Sequence, residues 1–295
     1  MSYFSLVYLG IFSLLISVLS FFNIIYSYYF NLYLNIDSYV YSLILSLIVG
    51  VVFLFKKKDN YKVSIYHKIL TVILGYFLIP LILSIPFFFS IYNISFLDSY
   101  FETISGFTST GFTIFENIKH LDQSLILWRS STQWIGGLYF LFSIIFLIDI
   151  YDDSLKKSLT NFLSFNSSEV LKQTAKIFIL YFGITISIFL ILNIFDIRTF
   201  NSLNLSMTII SSGGFLPTND LSSILTNQSQ IIIFSLSMLV SFFSIFFIYN
   251  LIFLRNKNLN FFYEDIHLFL YFLSIVTIFF IFFSFDNNFT YSFLS

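Results

Sequence analysis

Seven long apolar segments dominate this 295-residue sequence and constrain its fold more than any other feature. They lie at about 3–30, 39–55, 65–92, 125–150, 174–195, 229–254 and 266–285. A helix needs about 20 mostly apolar residues to cross a bilayer, so each segment predicts a transmembrane helix. Charged residues make up only 10% of the chain, against about 25% in a soluble domain. The sequence therefore predicts an all-α polytopic membrane protein with about seven transmembrane helices in the lipid bilayer.

Two further apolar stretches are too short to cross a membrane. They lie at about 96–107 and 199–210, and each runs into a loop rich in Gly, Ser and Thr. A helix of 12 residues rises only about 18 Å. Non-helical backbone at membrane depth is tolerated only where it lines a cavity or is covered by protein. Both stretches are therefore interpreted as re-entrant pore half-helices, each followed by a filter loop.

The order helix, half-helix, loop, helix occurs twice along the chain. This repetition predicts an N-terminal helix pair at 1–62, a first repeat at 63–158 and a second repeat at 159–258. Residues 259–295 then resemble the first helix of an incomplete third repeat. Internal repeats are common in transport proteins.

The positions of the basic residues predict the orientation in the membrane. Eleven of the 14 lie in three regions, at 56–68, 156–176 and 255–257, and Lys and Arg concentrate in cytoplasmic loops. We expect a multi-pass protein of the cell (cytoplasmic) membrane with a cytoplasmic N-terminus and both filter loops open to the outside. The outer side is then net acidic, which either attracts cations or is simply tolerated there.

Several function classes find no support in the residues. The chain has no Cys, which excludes thiol nucleophiles and thiolate metal sites. Its three His residues are scattered, and no carboxylate pair or Ser-His arrangement recurs at membrane depth. A net charge of −1 gives no basic surface for nucleic acid. We expect neither an enzyme nor a cofactor-binding protein.

Glycine marks the most informative stretches of the sequence. Six of the ten Gly residues lie within 101–138 or at 213–214. Glycine permits backbone angles that turn carbonyls toward an axis, and ion filters replace the hydration shell of a cation with such carbonyls. Small residues also let membrane helices pack closely. We favour the filter role for Gly111, beside Thr and Ser residues, and the packing role for Gly136 and Gly137.

The same stretch carries a resemblance to a known family. Residues 105–111 read SGFTSTG, with Phe-Glu before them and Trp-Arg-Ser, Gln-Trp and Gly-Gly after them. This pattern resembles the first pore repeat of TrkH/KtrB-type potassium transporters. Residues 206–215 resemble the second filter of that family, with Ser212 in place of the usual Thr.

The resemblance implies a function and a set of site residues. It implies potassium uptake, with the ion as transported substrate, a homodimeric assembly and a cytoplasmic nucleotide-binding regulatory subunit of the TrkA/KtrA kind. The implied ligands of the potassium ion are the backbone carbonyls of Ser109, Thr110, Gly111, Ser211, Ser212 and Gly213. The implied supporting residues are Glu102, Thr108, Phe112 and Gly214.

Two charged residues near the first loop have open roles. Glu102 is placed at the start of the first pore helix, where the helix dipole favours a carboxylate, or it attracts cations at the pore mouth. Arg129 is interpreted as an anchoring or loop-pairing residue.

The sequence also departs from the family pattern. Family members have four repeats around one pore, whereas two complete repeats are present here. The alternative function is therefore a truncated, nonconducting membrane fragment, or a scaffold that associates with full-length relatives.

Overall fold

The computed structural model describes residues 3–55, 65–147 and 167–242, together with helical positions 267, 270–275 and 277. Every long regular element in these ranges is an α-helix. We number the helices α1 (Tyr3–Tyr29), α2 (Ile36–Phe55), α3 (Ile65–Leu83), α4 (Ile85–Ser90), α5 (Phe96–Phe107), α6 (Gln123–Phe146), α7 (Ser167–Ile194), α8 (Thr199–Ser211) and α9 (Gln228–Phe242). Single 3₁₀ turns lie at Tyr33–Asn35, Ile118–His120 and Leu221–Ser223.

The chain divides into two compact units. The first comprises residues 1–152 and 198–224, and the second comprises residues 153–197 and 225–295. Helices α5 and α8, with the loops that follow them, therefore both belong to the first unit.

Four helical segments of the described chain are long and apolar enough to cross a membrane. They are Val7–Tyr29, Tyr33–Phe55, Ile65–Ser90 and Thr174–Ile194, which match the first, second, third and fifth predicted spans. Helix α6, in the fourth predicted span, is not among these four. The sixth predicted span is described only as far as residue 242, and most of the seventh lies outside the described residues. An all-helical protein is confirmed, and the number of seven spans stays a prediction.

Helix α6 forms the centre of the first unit because its buried polar side chains bind several other helices. Trp128 Nε1 donates to the carbonyl of Leu83, the last residue of α3, at 2.9 Å. Tyr139 donates to the carbonyl of Val72 at 2.9 Å, farther along α3. Ser124, in the first turn of α6, accepts a hydrogen bond from Tyr39 of α2 at 3.0 Å.

Glycine sets the closest helix contacts in this unit. A Cβ on Gly136 of α6 would overlap the backbone of Phe107, the last residue of α5. The packing role predicted for Gly136 is confirmed. Since Phe107 immediately precedes the loop at residues 108–113, this contact places α6 beside the start of that loop.

In the second unit, Gln230 of α9 binds the chain at both ends of its amide. Its Nε2 donates to the carbonyl of Phe195 at 3.1 Å, and its Oε1 accepts from the Thr226 backbone N–H at 2.9 Å. One side chain thus joins α9 to the residues that follow α7.

Candidate functional site

Helix α5 begins at a standard N-cap. The Ser95 hydroxyl accepts a hydrogen bond from the Asp98 N–H at 3.0 Å, and Asp98 supplies the acidic residue of the first turn. Glu102 lies more than one turn farther on and is completely buried. The predicted capping role of Glu102 is therefore wrong, because Glu102 lies six residues after Phe96, the first residue of the helix.

Helices α5 and α8 end in loops of the same backbone conformation. We define the first loop as residues 108–113 and the second loop as residues 211–216. Ser109 and Ser212 both adopt left-handed backbone angles, with φ of 55° and 52°. Gly111 and Gly214 both have φ of 80°. Residues other than glycine rarely adopt such angles, so their occurrence twice in one order indicates a repeated turn.

Equivalent hydrogen bonds close the two loops. The Ser105 hydroxyl donates to the carbonyl of Phe112, and the Thr208 hydroxyl donates to the carbonyl of Phe215 at 3.0 Å. In each case a hydroxyl two or three residues before the end of the short helix therefore binds the residue after the left-handed glycine.

These equivalences fix how the two loops correspond. Gly111 corresponds in backbone angle and hydrogen bonding to Gly214, whereas the sequence interpretation paired it with Gly213. Gly213 corresponds instead to Thr110, since the N–H of each binds the helix carbonyl five residues earlier, at 2.9 Å in both cases.

The two loops lie against each other. A Cβ on Gly111 would come within 2.7 Å of the Gly213 carbonyl oxygen. Of the predicted site residues, Thr108, Thr110, Phe112, Ser212 and Gly214 are exposed, Ser109 and Gly111 are half-buried, and Glu102, Ser211 and Gly213 are buried. The structure thus brings both predicted ligand sets together, with Glu102 buried beneath the first loop.

A buried ion pair between α5 and α6 holds the end of the first loop. Arg129 Nε lies 2.8 Å from Glu102 Oε1, and the two side chains are 1% and 0% exposed. The Glu102 carboxylate also accepts hydrogen bonds from the Thr113 hydroxyl at 3.0 Å and from the Ile114 N–H at 3.0 Å. Glu102 therefore holds the end of the first loop and does not lie at an exposed mouth.

Arg129 extends this support to the second loop. Its Nη1 donates to the carbonyl of Leu216 at 3.3 Å, and its guanidinium carbon lies 4.2 Å from the centre of the Phe215 ring. That distance is within the range of a cation–π contact. The loop-pairing role predicted for Arg129 is confirmed.

Gln133 lies one turn farther along α6 and binds the second loop through both ends of its amide. Its Nε2 donates to the carbonyl of Gly213, and its Oε1 accepts from the Phe215 N–H at 3.2 Å. The side chain is fully buried.

Asn219 joins the segments that follow the loops. Its Oδ1 accepts from the Ile118 N–H at 2.8 Å, and its Nδ2 donates to the Glu116 carbonyl at 3.4 Å. Arg129, Gln133 and Asn219 together hold the two loop regions side by side.

No protein-family model matches the sequence. An uncharacterized cation transporter of Methanocaldococcus jannaschii is 27% identical over 201 residues, which are 64% of this chain and 41% of the relative. The Trk system potassium uptake protein TrkH of Escherichia coli K12 is 24% identical over 166 residues, or 54% of this chain and 34% of the relative.

A solved structure shows the same fold. The crystal structure of the potassium transporter TrkH from Vibrio parahaemolyticus matches with a TM-score of 0.64 at 20% sequence identity, over 81% of this chain and 50% of TrkH. The chain is related to the Trk potassium uptake proteins. It is a multi-pass membrane protein, and it spans half or less of the length of these relatives.

The Trk resemblance drew attention to the loop residues but not to all the side chains that position them. The sequence pattern includes Gln133 in its Gln-Trp pair but predicts no role for it, and it does not single out Asn219. A polar amide in the middle of an apolar helix was the available signal for Gln133, since such groups are buried only with hydrogen-bond partners. Asn219 lies in a polar loop, where Asn is ordinary and gives no signal.

The described residues contain no group of three or more His, Asp or Glu side chains that could hold a metal ion. The first loop instead presents carbonyl and hydroxyl oxygens at Thr108, Ser109 and Thr110, which are exposed or half-buried. Such oxygens are the ligands found in potassium filters.

Proposed function

We propose that this chain takes part in potassium uptake and that its two loops form two sides of an ion filter. The observation that carries the proposal is the repeated loop conformation, with a left-handed Ser and a left-handed Gly in each copy. Filters surround a cation with equivalent backbone carbonyls. Two loops of one conformation, lying side by side, suit that requirement.

The proposed ligands are backbone carbonyls of residues 109–111 in the first loop and of residues 211–214 in the second. Because Gly111 corresponds to Gly214, the proposed ligands of the second loop include Gly214, which lies one residue beyond the set expected from sequence. Thr108 and Phe112 support the first loop in this proposal. Helices α5 and α8, with 12 and 13 residues, would each enter the membrane as half-helices, since each rises only about 18–20 Å.

The assembly and orientation belong to the same proposal. The N-terminus would be cytoplasmic and both loops would open to the outside. Homodimer formation and a cytoplasmic nucleotide-binding regulatory subunit remain predictions from the Trk resemblance.

Growth of a potassium-uptake-deficient bacterium at low potassium tests the function. The chain would be expressed alone, and together with the half of Vibrio parahaemolyticus TrkH that it does not cover. We expect growth only from the pair, because a filter needs carbonyls on four sides and one copy supplies two loops. Growth from the chain alone, abolished by changes at Gly111, would instead establish a two-repeat pore in a dimer. No growth from any combination would favour a nonconducting scaffold.

Selectivity is tested in the combination that supports growth. Gly111→Ser places a side chain where φ is 80° and where a Cβ meets the Gly213 carbonyl oxygen, so it should weaken the preference for potassium over sodium. Competitive rubidium uptake with and without sodium measures the effect. Unchanged sodium sensitivity would make Gly111 a packing residue only.

A further inference from the structure

Gln133 provides a specific link between α6 and the second loop. Its amide donates to the Gly213 carbonyl and accepts from the Phe215 N–H. An amide carries both a donor and an acceptor in a fixed plane. Binding on both sides of Gly214 therefore fixes the orientation of the backbone around that residue.

The two adjacent glycines of the second loop are required for different reasons. Gly214 has φ of 80°, whereas Gly213 is not among the residues with positive φ. A Cβ on Gly213 would overlap the Gln133 amide. Gly213 thus permits close approach of the Gln133 side chain, and Gly214 permits the turn.

The first loop has a different arrangement at the equivalent position. Thr110, the counterpart of Gly213, is exposed, and its hydroxyl lies 2.7 Å from that of Thr108. Among the described residues, no side-chain amide binds Thr110. Gln133 therefore binds the second loop directly and helps to determine the position of that loop relative to the first.

The contact continues from the second loop to the first. The Gly213 carbonyl oxygen, which accepts from Gln133, also faces the position of a Cβ on Gly111 at 2.7 Å. Gln133, Gly213 and Gly111 thus form a continuous line of contacts from α6 through the second loop to the first. Any displacement of Gly213 changes the space beside Gly111.

We propose that Gln133 is a positioning residue that sets the separation of the two loops and thereby the discrimination among monovalent cations. This inference rests on the proposed ion filter. The discrimination of a filter depends on the number and spacing of its carbonyls, and the Gln133 amide determines where the Gly213 carbonyl lies.

Carbonyl resonances of the purified 295-residue chain test the contacts without any transport. Glycine is labelled with ¹³C at the carbonyl and with ¹⁵N, and phenylalanine with ¹⁵N. The sequence has only two Gly-Gly and three Gly-Phe pairs, so five one-bond carbonyl–nitrogen correlations are expected. Gly213→Ala removes the Gly213 correlation and so identifies it.

Gln133→Leu keeps a side chain of similar size but removes both hydrogen bonds. The Gly213 resonance should move upfield, and the Gly111 resonance should shift as well, although Gln133 makes no hydrogen bond to Gly111. Ser130→Ala is the matched control, because Ser130 is equally buried on α6 and, among the described residues, its hydroxyl binds only the Ile126 carbonyl of its own helix. A Gly213 or Gly111 resonance that stays in place in Gln133→Leu overturns the proposal.

Competitive rubidium uptake tests the consequence for selectivity, in the combination that supports growth. Gln133→Leu and Gly213→Ala, which disturb the contact from opposite sides, should each reduce discrimination against sodium by about two- to tenfold, the size expected for one hydrogen bond. Ser130→Ala should keep wild-type discrimination.

The two assays separate the two ideas. Shifted resonances with unchanged discrimination refute the proposed effect of Gln133 on selectivity, while the filter itself stands. If the unmodified chain supports no uptake in any combination, the proposed function fails. The resonances then still decide whether Gln133 positions both loops.

Discussion

The ion pair between Glu102 and Arg129 gives the sharpest stability prediction. Glu102→Gln preserves the shape of the side chain and removes its charge. Because both partners are at most 1% exposed, Arg129 would remain charged in a buried place without its counter-ion. Breaking a buried pair in this way costs about 3–5 kcal/mol.

The remaining contacts of Arg129 decide where in that range the loss falls. Its bond to the Leu216 carbonyl and its contact with the Phe215 ring do not depend on the Glu102 charge, and a desolvated cation–π contact is worth about 2 kcal/mol. We therefore expect a loss near the lower end, about 3 kcal/mol. At about 2–4 °C for each kcal/mol, the melting temperature should fall by about 6–12 °C.

Intrinsic tryptophan fluorescence of the detergent-solubilised chain during heating measures this shift, because both tryptophans, Trp128 and Trp134, lie on α6. Asp98→Asn is the matched control, since Asp98 is an exposed carboxylate on α5, the helix that also carries Glu102. A charge at a helix end contributes about 0.3–1 kcal/mol. The double variant Glu102→Gln with Arg129→Gln leaves no lone charge and should be more stable than Glu102→Gln alone.

Two results would refute this reasoning. A loss for Glu102→Gln no larger than that for Asp98→Asn would mean that the pair contributes little. A double variant less stable than Glu102→Gln alone would mean that Arg129 acts mainly through its contacts with the second loop.

Two further predictions concern helix packing and orientation. Gly136→Ala should lower the free energy of unfolding by about 1–3 kcal/mol, because its Cβ overlaps the Phe107 backbone. Gly183→Ala, with open space around it, should raise that free energy by up to about 1 kcal/mol. Thermal unfolding of both variants checks this, and equal effects would contradict the packing argument. Cysteines introduced singly at Lys57 and Glu116 in this Cys-free chain should be labelled by a membrane-impermeant thiol reagent only at position 116, and the reverse pattern would invert the proposed topology.

Several features of the fold could be predicted from local sequence. The predicted stretch 96–107 coincides with α5 (Phe96–Phe107), and the stretch 199–210 ends one residue before α8 does. Apolar runs and Gly- and Ser-rich ends are properties of neighbouring residues, so a single sequence contains them.

The correspondence of the two loops was harder to predict. Two consecutive glycines, Gly213 and Gly214, stand in the second loop, and the sequence interpretation paired Gly213 with Gly111. The hydrogen bonds from Ser105 and Thr208 decide the matter in the structure. Glycine occurs both where φ is positive and where a neighbour approaches closely, and its letter alone does not distinguish these cases.

By itself, the sequence determined the helical membrane class, the two short helices and the loops that follow them, because each depends on side chains close together along the chain. Tertiary structure alone decided which groups hold those loops in place. Arg129 lies 87 residues and Gln133 lies 80 residues before the carbonyl of the second loop that each binds. Their partners are set by how α5, α6 and α8 pack, since a buried polar side chain requires a partner but does not specify which one.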